Sequence, residues 1–280
     1  MTFAEWSLRL VSNLGFIARH GHSHGRLAIL GAYVKIEFKR FFLANLLKRK
    51  MVCENVFGYK IHFFEYETFA ILFEELYLPD AYHFSASSKE PLILDCGSNI
   101  GLTILYFKKI YPQCKIIGFE ADVRTFKLLE KNIKVNNLEN VTLINRALYD
   151  TKGTVPFYVS VAEPGLVQSI RPESLAHSEE TRVETELLSE HINERVDMLK
   201  MDIEGAEQQV MNNLVKERKL PFIQEMILEY HHHMTPVEDR LGKFLEILED
   251  ANFGYQLRAP LAPPFRRGEF QGFLVYAYHK

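Results

Sequence analysis

Residues 91–101 read Pro-Leu-Ile-Leu-Asp95-Cys96-Gly97-Ser98-Asn99-Ile100-Gly101. A short apolar run ends in an acid, a glycine turn follows, and apolar residues then recur at helical spacing over 102–110. This is a strand, a tight turn and a helix, the opening unit of an open α/β sheet. Gly97 allows the sharp turn, and Gly101 lets the helix start close to the strand. Ligands of such sheets bind just beyond the carboxyl end of the first strand. The spacing is D-x-G-x-N-x-G, not the G-x-G-x-x-G that cradles a dinucleotide pyrophosphate. An acid in first position suits a cationic, amine-bearing ligand such as S-adenosylmethionine.

The theme repeats downstream. Residues 115–120 (KIIGFE) form a second strand ending in Glu120, with a helix expected near 123–136. An acid at that strand end accepts hydrogen bonds from ribose hydroxyls. It could instead cap the next helix, a job that Asp122 can do alone. Further strands are expected at 141–145, 196–202, 222–229, 255–258 and 273–278, with helices near 205–216 and 237–250. Strands alternating with helices imply βαβ units and a mainly parallel sheet. Residues 152–187 break the pattern and read as a β-rich insertion at the sheet's carboxyl edge. Residues 51–90 read as strand and helix packing on the core.

Two further clusters carry chemistry. Leu199-Lys200-Met201-Asp202-Ile203-Glu204-Gly205-Ala206-Glu207 delivers Asp202 to the sheet edge, with Glu204 and Glu207 opening a helix whose dipole favours acids. These acids could be caps only, bind a cofactor amine, position a substrate hydroxyl or hold a divalent metal. Glu229-Tyr230-His231-His232-His233 follows the fifth strand. Consecutive histidines cannot all face one ligand, so no metal set is assigned here. A single one as general base suits an imidazole that titrates near neutrality. His20, His22 and His24 read as an exposed loop rather than a metal site.

These stretches resemble the FkbM-type methyltransferases, a class I S-adenosylmethionine-dependent group. ILDCGSNIGLT is similar to the first motif, IIGFEAD to the second, LLKMDIEGAE to the most distinctive one, and MILEYHH to the strand-five motif. LYDTKGTVPFY fits as well, so the resemblance spans about residues 52–278. It implies an α/β fold: a Rossmann-like seven-stranded methyltransferase sheet over 91–280, with an N-terminal helical arm and the β insertion. By position, Asp95, Gly97, Ser98, Asn99 and Gly101 would line the cofactor's amino-acid part, and Glu120 with Ala121 its ribose. Asn145 and Ala147 would approach the adenine, and Asp202 and Glu204 would lie near the transferred methyl. Ser98 stands where the family often has alanine, and Ala121-Asp122 where it often has Pro-Asn; neither change threatens binding. The implied reaction is SN2 transfer of a methyl from S-adenosylmethionine to a hydroxyl of a sugar, glycan or natural product. Asp202 is the first candidate for base or orienter, followed by Glu204, Glu229 and His231. A divalent metal is left open.

Composition narrows the alternatives. The 280 residues carry 33 basic and 36 acidic side chains, and 47% are hydrophobic, ordinary globular proportions. A net charge of −3 does not suit a nucleic-acid coat. A nucleic-acid methyltransferase would also show a Pro-Pro-aromatic run after strand four, which is absent. A non-catalytic adenosyl-binding module need not keep Asp202, Glu204 and Glu207. Residues 1–50 hold nine basic side chains against two acidic ones, net +7, which leaves the remainder at −10. The expected reading is a helical arm with a solvated basic face; the sharper one is peripheral contact with a membrane or a lipid-linked acceptor. Three scattered cysteines, no apolar run of about 18–20 residues and no signal-peptide pattern fit a cytoplasmic protein.

Overall fold

The computed structural model describes residues 3–20, 24–160, 168–169, 178–232, 240–259 and 271–280. Seven strands form the central sheet. They are β3 (Leu92–Cys96), β4 (Lys115–Phe119), β5 (Val141–Ile144), β10 (Val196–Met201), β11 (Ile223–His232), β12 (Phe253–Arg258) and β13 (Gln271–His279). Their order is β12-β13-β11-β10-β3-β4-β5. All pairings are parallel except those of β13, which runs antiparallel to both neighbours. This is a mixed sheet of seven strands with one antiparallel strand, β13, between β12 and β11. The chain winds outward from β3 in one direction and from β10 in the other. The crevice beyond these two strands is therefore the topological switch point, where ligands of such sheets bind.

Both faces of the sheet are covered, which explains the near-continuous apolar strands. All six residues of β10 are buried. Ile93 and Met198 face a core built with α3 (Tyr66–Tyr77), α4 (Leu102–Ile110) and α5 (Val123–Val135). Leu94, Leu199 and Met201 face the other core, with α6 (Glu207–Lys216) and α7 (Leu241–Asp250). A hairpin, β1 (Cys53–Val56) and β2 (Tyr59–His62), precedes α3. Between β5 and β10 lies a second sheet of β6 (Ala147–Leu148), β7 (Thr154–Ser160), β8 (Gln168–Ser169) and β9 (Ser178–Glu186), ordered β6-β9-β7-β8. Within 152–187, β7 pairs antiparallel with both β8 and β9, and β6, which precedes that segment, joins β9 in a short parallel pairing. The expected turn around Pro164, Gly165 and Pro172 lies outside the described residues, as do His22 and His233.

The N-terminal arm is part of the fold rather than an appendage. It comprises α1 (Phe3–Arg19), α2 (Arg26–Phe38) and a π-helical stretch, Lys39–Leu46. Ile17, Ile29, Tyr33 and Ile36 are buried in the same core as α3 and α4. Four of the nine basic side chains form ion pairs with acids. Arg9 pairs with Glu74, while Lys35 and Lys39 pair with Glu54 at 3.3 and 2.7 Å. Arg40, itself buried, reaches Glu37 at 3.0 Å, Glu74 at 3.6 Å and Glu67. The basic excess is thus partly a counter-charge for acids under the arm. His24, expected on an exposed loop, packs against Phe57, Tyr77 and Tyr106 at centroid separations of 4.6–5.3 Å. Among the described residues no helix is long and apolar enough to cross a membrane.

Breaking a buried charge pair from one side leaves an uncompensated charge and costs about 3–5 kcal/mol. Arg40→Ala should therefore destabilise the protein by about that amount in a urea titration, because fully buried Glu37 is stranded. A loss below about 1 kcal/mol, typical of exposed pairs, contradicts this account of how the arm is held.

Candidate active site

A cavity of about 890 Å³ opens at the switch point. It falls within the ordinary range for a small-molecule site. Its base is set by one close approach. Gly97 has φ +84°, and a Cβ there would lie 1.9 Å from the carbonyl oxygen of Asp202, so only glycine fits. The Asp202 N–H donates to the Cys96 carbonyl at 3.0 Å, tying the ends of β3 and β10 together. The N–H groups of Gly97 and Ser98 both donate to the Phe119 carbonyl, at 3.0 and 2.8 Å, which ties the turn to β4.

On the β4 side stands Glu120, buried at the strand end. Its carboxylate accepts the Asn99 N–H and the Asp122 N–H, each at 2.9 Å. Burial lifts its carboxyl to about 7, against those two hydrogen bonds. The helix that follows is capped independently, because Asp122 accepts the Thr125 N–H at 3.0 Å. Glu120 is therefore not needed as a cap.

On the β10 side, carboxylates converge. Asp202, Glu204 and Glu229 line the cavity with His231. Nε2 of His231 lies 3.2 Å from Glu204 and 3.8 Å from Asp202, and its Nδ1 lies 2.9 Å from Glu207. Glu207 opens α6, and its carboxylate accepts the Gly205 N–H at 3.0 and 3.1 Å. Glu204 adopts φ +55°, a left-handed conformation that a non-glycine residue rarely takes. Burial, with neighbouring acids, raises the Glu204 carboxyl to about 8. The Asp202 charge, with burial, raises Glu229 to about 7. Burial pulls the His231 imidazole down, but the Glu207 charge and hydrogen bond more than offset it, leaving the pKa well above the ordinary value.

The geometry brings together Gly97, Ser98, Asn99, Glu120, Ala121, Ala147, Asp202, Glu204, Glu229 and His231 around one space. Three expected residues stand behind it. Asp95 is fully buried; it accepts the Thr103 hydroxyl at 2.6 Å and lies 3.7 Å from the Lys200 ammonium. Gly101 starts α4 at φ +91° and packs on Leu129, which sits 2.7 Å from where a Cβ would be. Asn145 turns its amide to the Glu120 and Ala121 carbonyls at 2.8 and 3.1 Å, so it braces the strand end.

Several contributors escape the sequence reading. Lys200 is buried and donates to the Gly97 carbonyl at 2.8 Å, with Asp95 and Asp202 each 3.7 Å away. Burial depresses its ammonium, and those two carboxylates more than offset the effect. Asn13 and Phe16 of α1, and Glu75 of α3, also line the cavity. Burial, with the Asp202 charge, lifts Glu75 to about 7. A lysine within the strand Val196–Met201, four residues before the glutamate of Asp202-Ile203-Glu204, was the available signal for Lys200; nothing local marks the other three.

The sequence pattern described as the methyltransferase FkbM domain matches residues 95–257. The chain belongs to the FkbM methyltransferase family. The relatives bear names of the same kind. "Methyltransferase sdnD" of Sordaria araneosa is 28% identical over 190 residues, covering 56% of this chain and 73% of the relative. "Methyltransferase 1" of Beauveria bassiana is 27% identical over 218 residues, covering 68% and 84% respectively. "2-O-methyltransferase NoeI" of Sinorhizobium fredii is 30% identical over 139 residues, covering 44% and 56%. Among solved structures, the FkbM methyltransferase of Methylobacillus flagellatus superposes with TM-score 0.47 at 15% identity, covering 70% of this chain and 45% of that one. As a family member the chain is a methyltransferase.

The raised carboxyls make a stability prediction. Glu75, Glu120 and Glu229 sit near 7 and Glu204 near 8, against 4.5 when unfolded. Their contribution is complete below pH 4.5 and is lost as pH rises through 7 to 8. The thermal midpoint of the ligand-free FkbM protein should therefore fall between pH 5 and 8, and Glu120→Gln should flatten the slope. A midpoint that rises across that window contradicts these environments.

Proposed function

We propose that this FkbM protein is an S-adenosylmethionine-dependent O-methyltransferase whose acceptor is an uncharged hydroxyl compound, a sugar, glycan or natural product. The observation that carries the reading is one cavity with two chemically different sides. Gly97, Ser98, Asn99 and Glu120 form one side, and Asp202, Glu204, Glu229 and His231 form the other.

The first side fits the cofactor. Each Glu120 oxygen is bonded to one backbone N–H and keeps a further lone pair, so the carboxylate can accept ribose hydroxyls. Ala121 and Ala147 offer small apolar surface beside it, suited to an adenine ring. Asp202, at the carboxyl end of β10, offers negative charge for an ammonium or sulfonium. S-adenosylmethionine bound there supplies an electrophilic methyl group.

The chain's own residues handle the acceptor. A sugar hydroxyl is a weak nucleophile near neutrality, so its proton must be taken as the new bond forms. Glu229 is matched to that task, since its carboxyl is held at about 7 and it lines the cavity. Asp202, whose carboxylate lies 3.7 Å from the Lys200 ammonium, is held in place to orient the acceptor. His231, held from behind by Glu207, orients the same oxygen. Lys200 fixes the Gly97 carbonyl and thereby the turn. The remaining acceleration comes from alignment in a cavity walled by α1, α3 and the insertion. The excess of carboxylates disfavours phosphorylated and nucleic-acid acceptors. The printed name of NoeI, a 2-O-methyltransferase, supports oxygen as the target.

The reading is tested with methyl-labelled S-adenosylmethionine and a panel of neutral sugars and polyols beside their phosphorylated and amino analogues. Label should appear on a hydroxyl oxygen of a neutral acceptor. Glu229→Gln should lower kcat by about 10²–10⁴ with S-adenosylhomocysteine affinity unchanged. Label on nitrogen contradicts the acceptor class, and wild-type turnover in Glu229→Gln contradicts the base. Tight cofactor binding with no transfer to any acceptor favours a binding module.

A further inference from the structure

We propose that Asp202, Glu204 and His231 form a binding site for one divalent cation of the Mg²⁺ or Mn²⁺ class, on the acceptor side of the cavity. One donor atom from each, two carboxylate oxygens and an imidazole nitrogen, lies within 4.8 Å of the others. Nε2 of His231 is 3.2 Å from the Glu204 oxygen and 3.8 Å from the Asp202 oxygen. Neighbouring ligands on an octahedral ion at about 2.1 Å are about 3.0 Å apart, so the two imidazole–carboxylate separations are already within about 1 Å of that spacing, and a cation would draw the carboxylates closer together.

Carboxylates alone would not define a site. The decisive addition is an imidazole oriented from behind. Buried Glu207 holds Nδ1 at 2.9 Å and is itself fixed by the Gly205 N–H. The ring's position is set, and Nε2 is turned toward Asp202 and Glu204. A carboxylate behind a histidine is the usual support for a metal-bound imidazole. Asp202 and Glu204 keep 29% and 27% of their side chains exposed, so an ion can reach them from the cavity. A mixed set of one nitrogen and two oxygens suits a hard or borderline divalent ion. Three protein ligands leave about three octahedral positions for oxygens from outside.

The inference deepens the proposed methyl transfer and rests on it for the cation's purpose. Two neighbouring hydroxyls of an acceptor would take two of the three open positions, with a water in the third, and the ion would lower the pKa of the hydroxyl that is methylated. Glu229, which is not among the three ligands, remains to take the proton. Vicinal diols are therefore the acceptor class that the site favours over isolated alcohols.

The test is titration of metal-stripped full-length protein with Mn²⁺, following free Mn²⁺ by electron paramagnetic resonance, with Mg²⁺ as competitor. Wild type should bind one Mn²⁺ per chain. Glu204→Gln and Asp202→Asn should lose that binding, while Glu207→Gln should weaken it about 10–100-fold. Because His231 is buried, the more exposed Asp202 and Glu204 are the variants of choice, with retained S-adenosylhomocysteine binding as the folding control for Glu204→Gln and an unchanged circular dichroism spectrum as the control for Asp202→Asn. Stoichiometric Mn²⁺ lost in both variants supports the site. Absence of Mn²⁺ binding in wild type, or equal binding in the two variants, overturns it. Cofactor binding without Mn²⁺ binding overturns the cation site alone, whereas Mn²⁺ binding without cofactor binding supports the site and removes the methyl-transfer reading.

Discussion

The contact on which the molecule depends is the one between Gly97 and the backbone of Asp202. The main chain of one βα turn passes so close to the end of the neighbouring strand that no Cβ can stand between them. The hydrogen bond from Asp202 to Cys96 closes the same junction, and the Lys200 ammonium reaches the Gly97 carbonyl just below it. Because β3 and β10 diverge in winding direction here, the junction forms the floor of the cavity. Everything that the two strands carry at their ends is thereby delivered to one place. A rigid floor matters because displacement of a catalytic group by about 1 Å can cost about 100-fold in rate.

The charges at that floor follow a consistent logic. Glu75, Asp202, Glu204, Glu207 and Glu229 gather around Lys200 and His231, so the acids outnumber the cations. Burial and mutual repulsion push Glu75, Glu204 and Glu229 toward neutrality. Glu207 is the exception. Burial raises it, but the His231 charge and hydrogen bonds prevail and hold its carboxyl below the ordinary range. A carboxylate whose pKa is held low thus fixes the imidazole, while Glu75, Glu204 and Glu229 are pushed up toward neutral pH. Such division of roles among adjacent carboxyls is the pattern of acid–base sites.

The sheet could be read from the chain because parallel strands covered on both sides are short apolar runs, and each run here ends in a turn signal. Gly97, Glu120 and Asp202 were legible for the same reason: a strand end points at the crevice whatever surrounds it. Other members required three dimensions. Asp95 looks like a ligand-facing acid in the motif, yet strand alternation turns it inward to Thr103 and Lys200. Asn145, expected near the adenine, uses its amide N–H groups to brace two carbonyls at the strand end. Glu75 and Phe16 lie far from any motif; Phe16 reaches the cavity because the arm packs across it, and Glu75 because α3 lines it. The basic arm misleads in a similar way, since the acids that partner Arg9, Lys35 and Lys39 are at Glu54 and Glu74, beyond its limits.

The central claim is that the Gly97–Asp202 junction builds a site for an adenosyl ligand. Calorimetric titration of wild-type protein and Gly97→Ala with S-adenosylhomocysteine, and with NAD as the counter-ligand, tests it most directly. The account predicts saturable binding of S-adenosylhomocysteine by wild type, none of NAD, and loss of the adenosyl ligand in Gly97→Ala. Binding of NAD by wild type, or undiminished S-adenosylhomocysteine binding in Gly97→Ala, contradicts it.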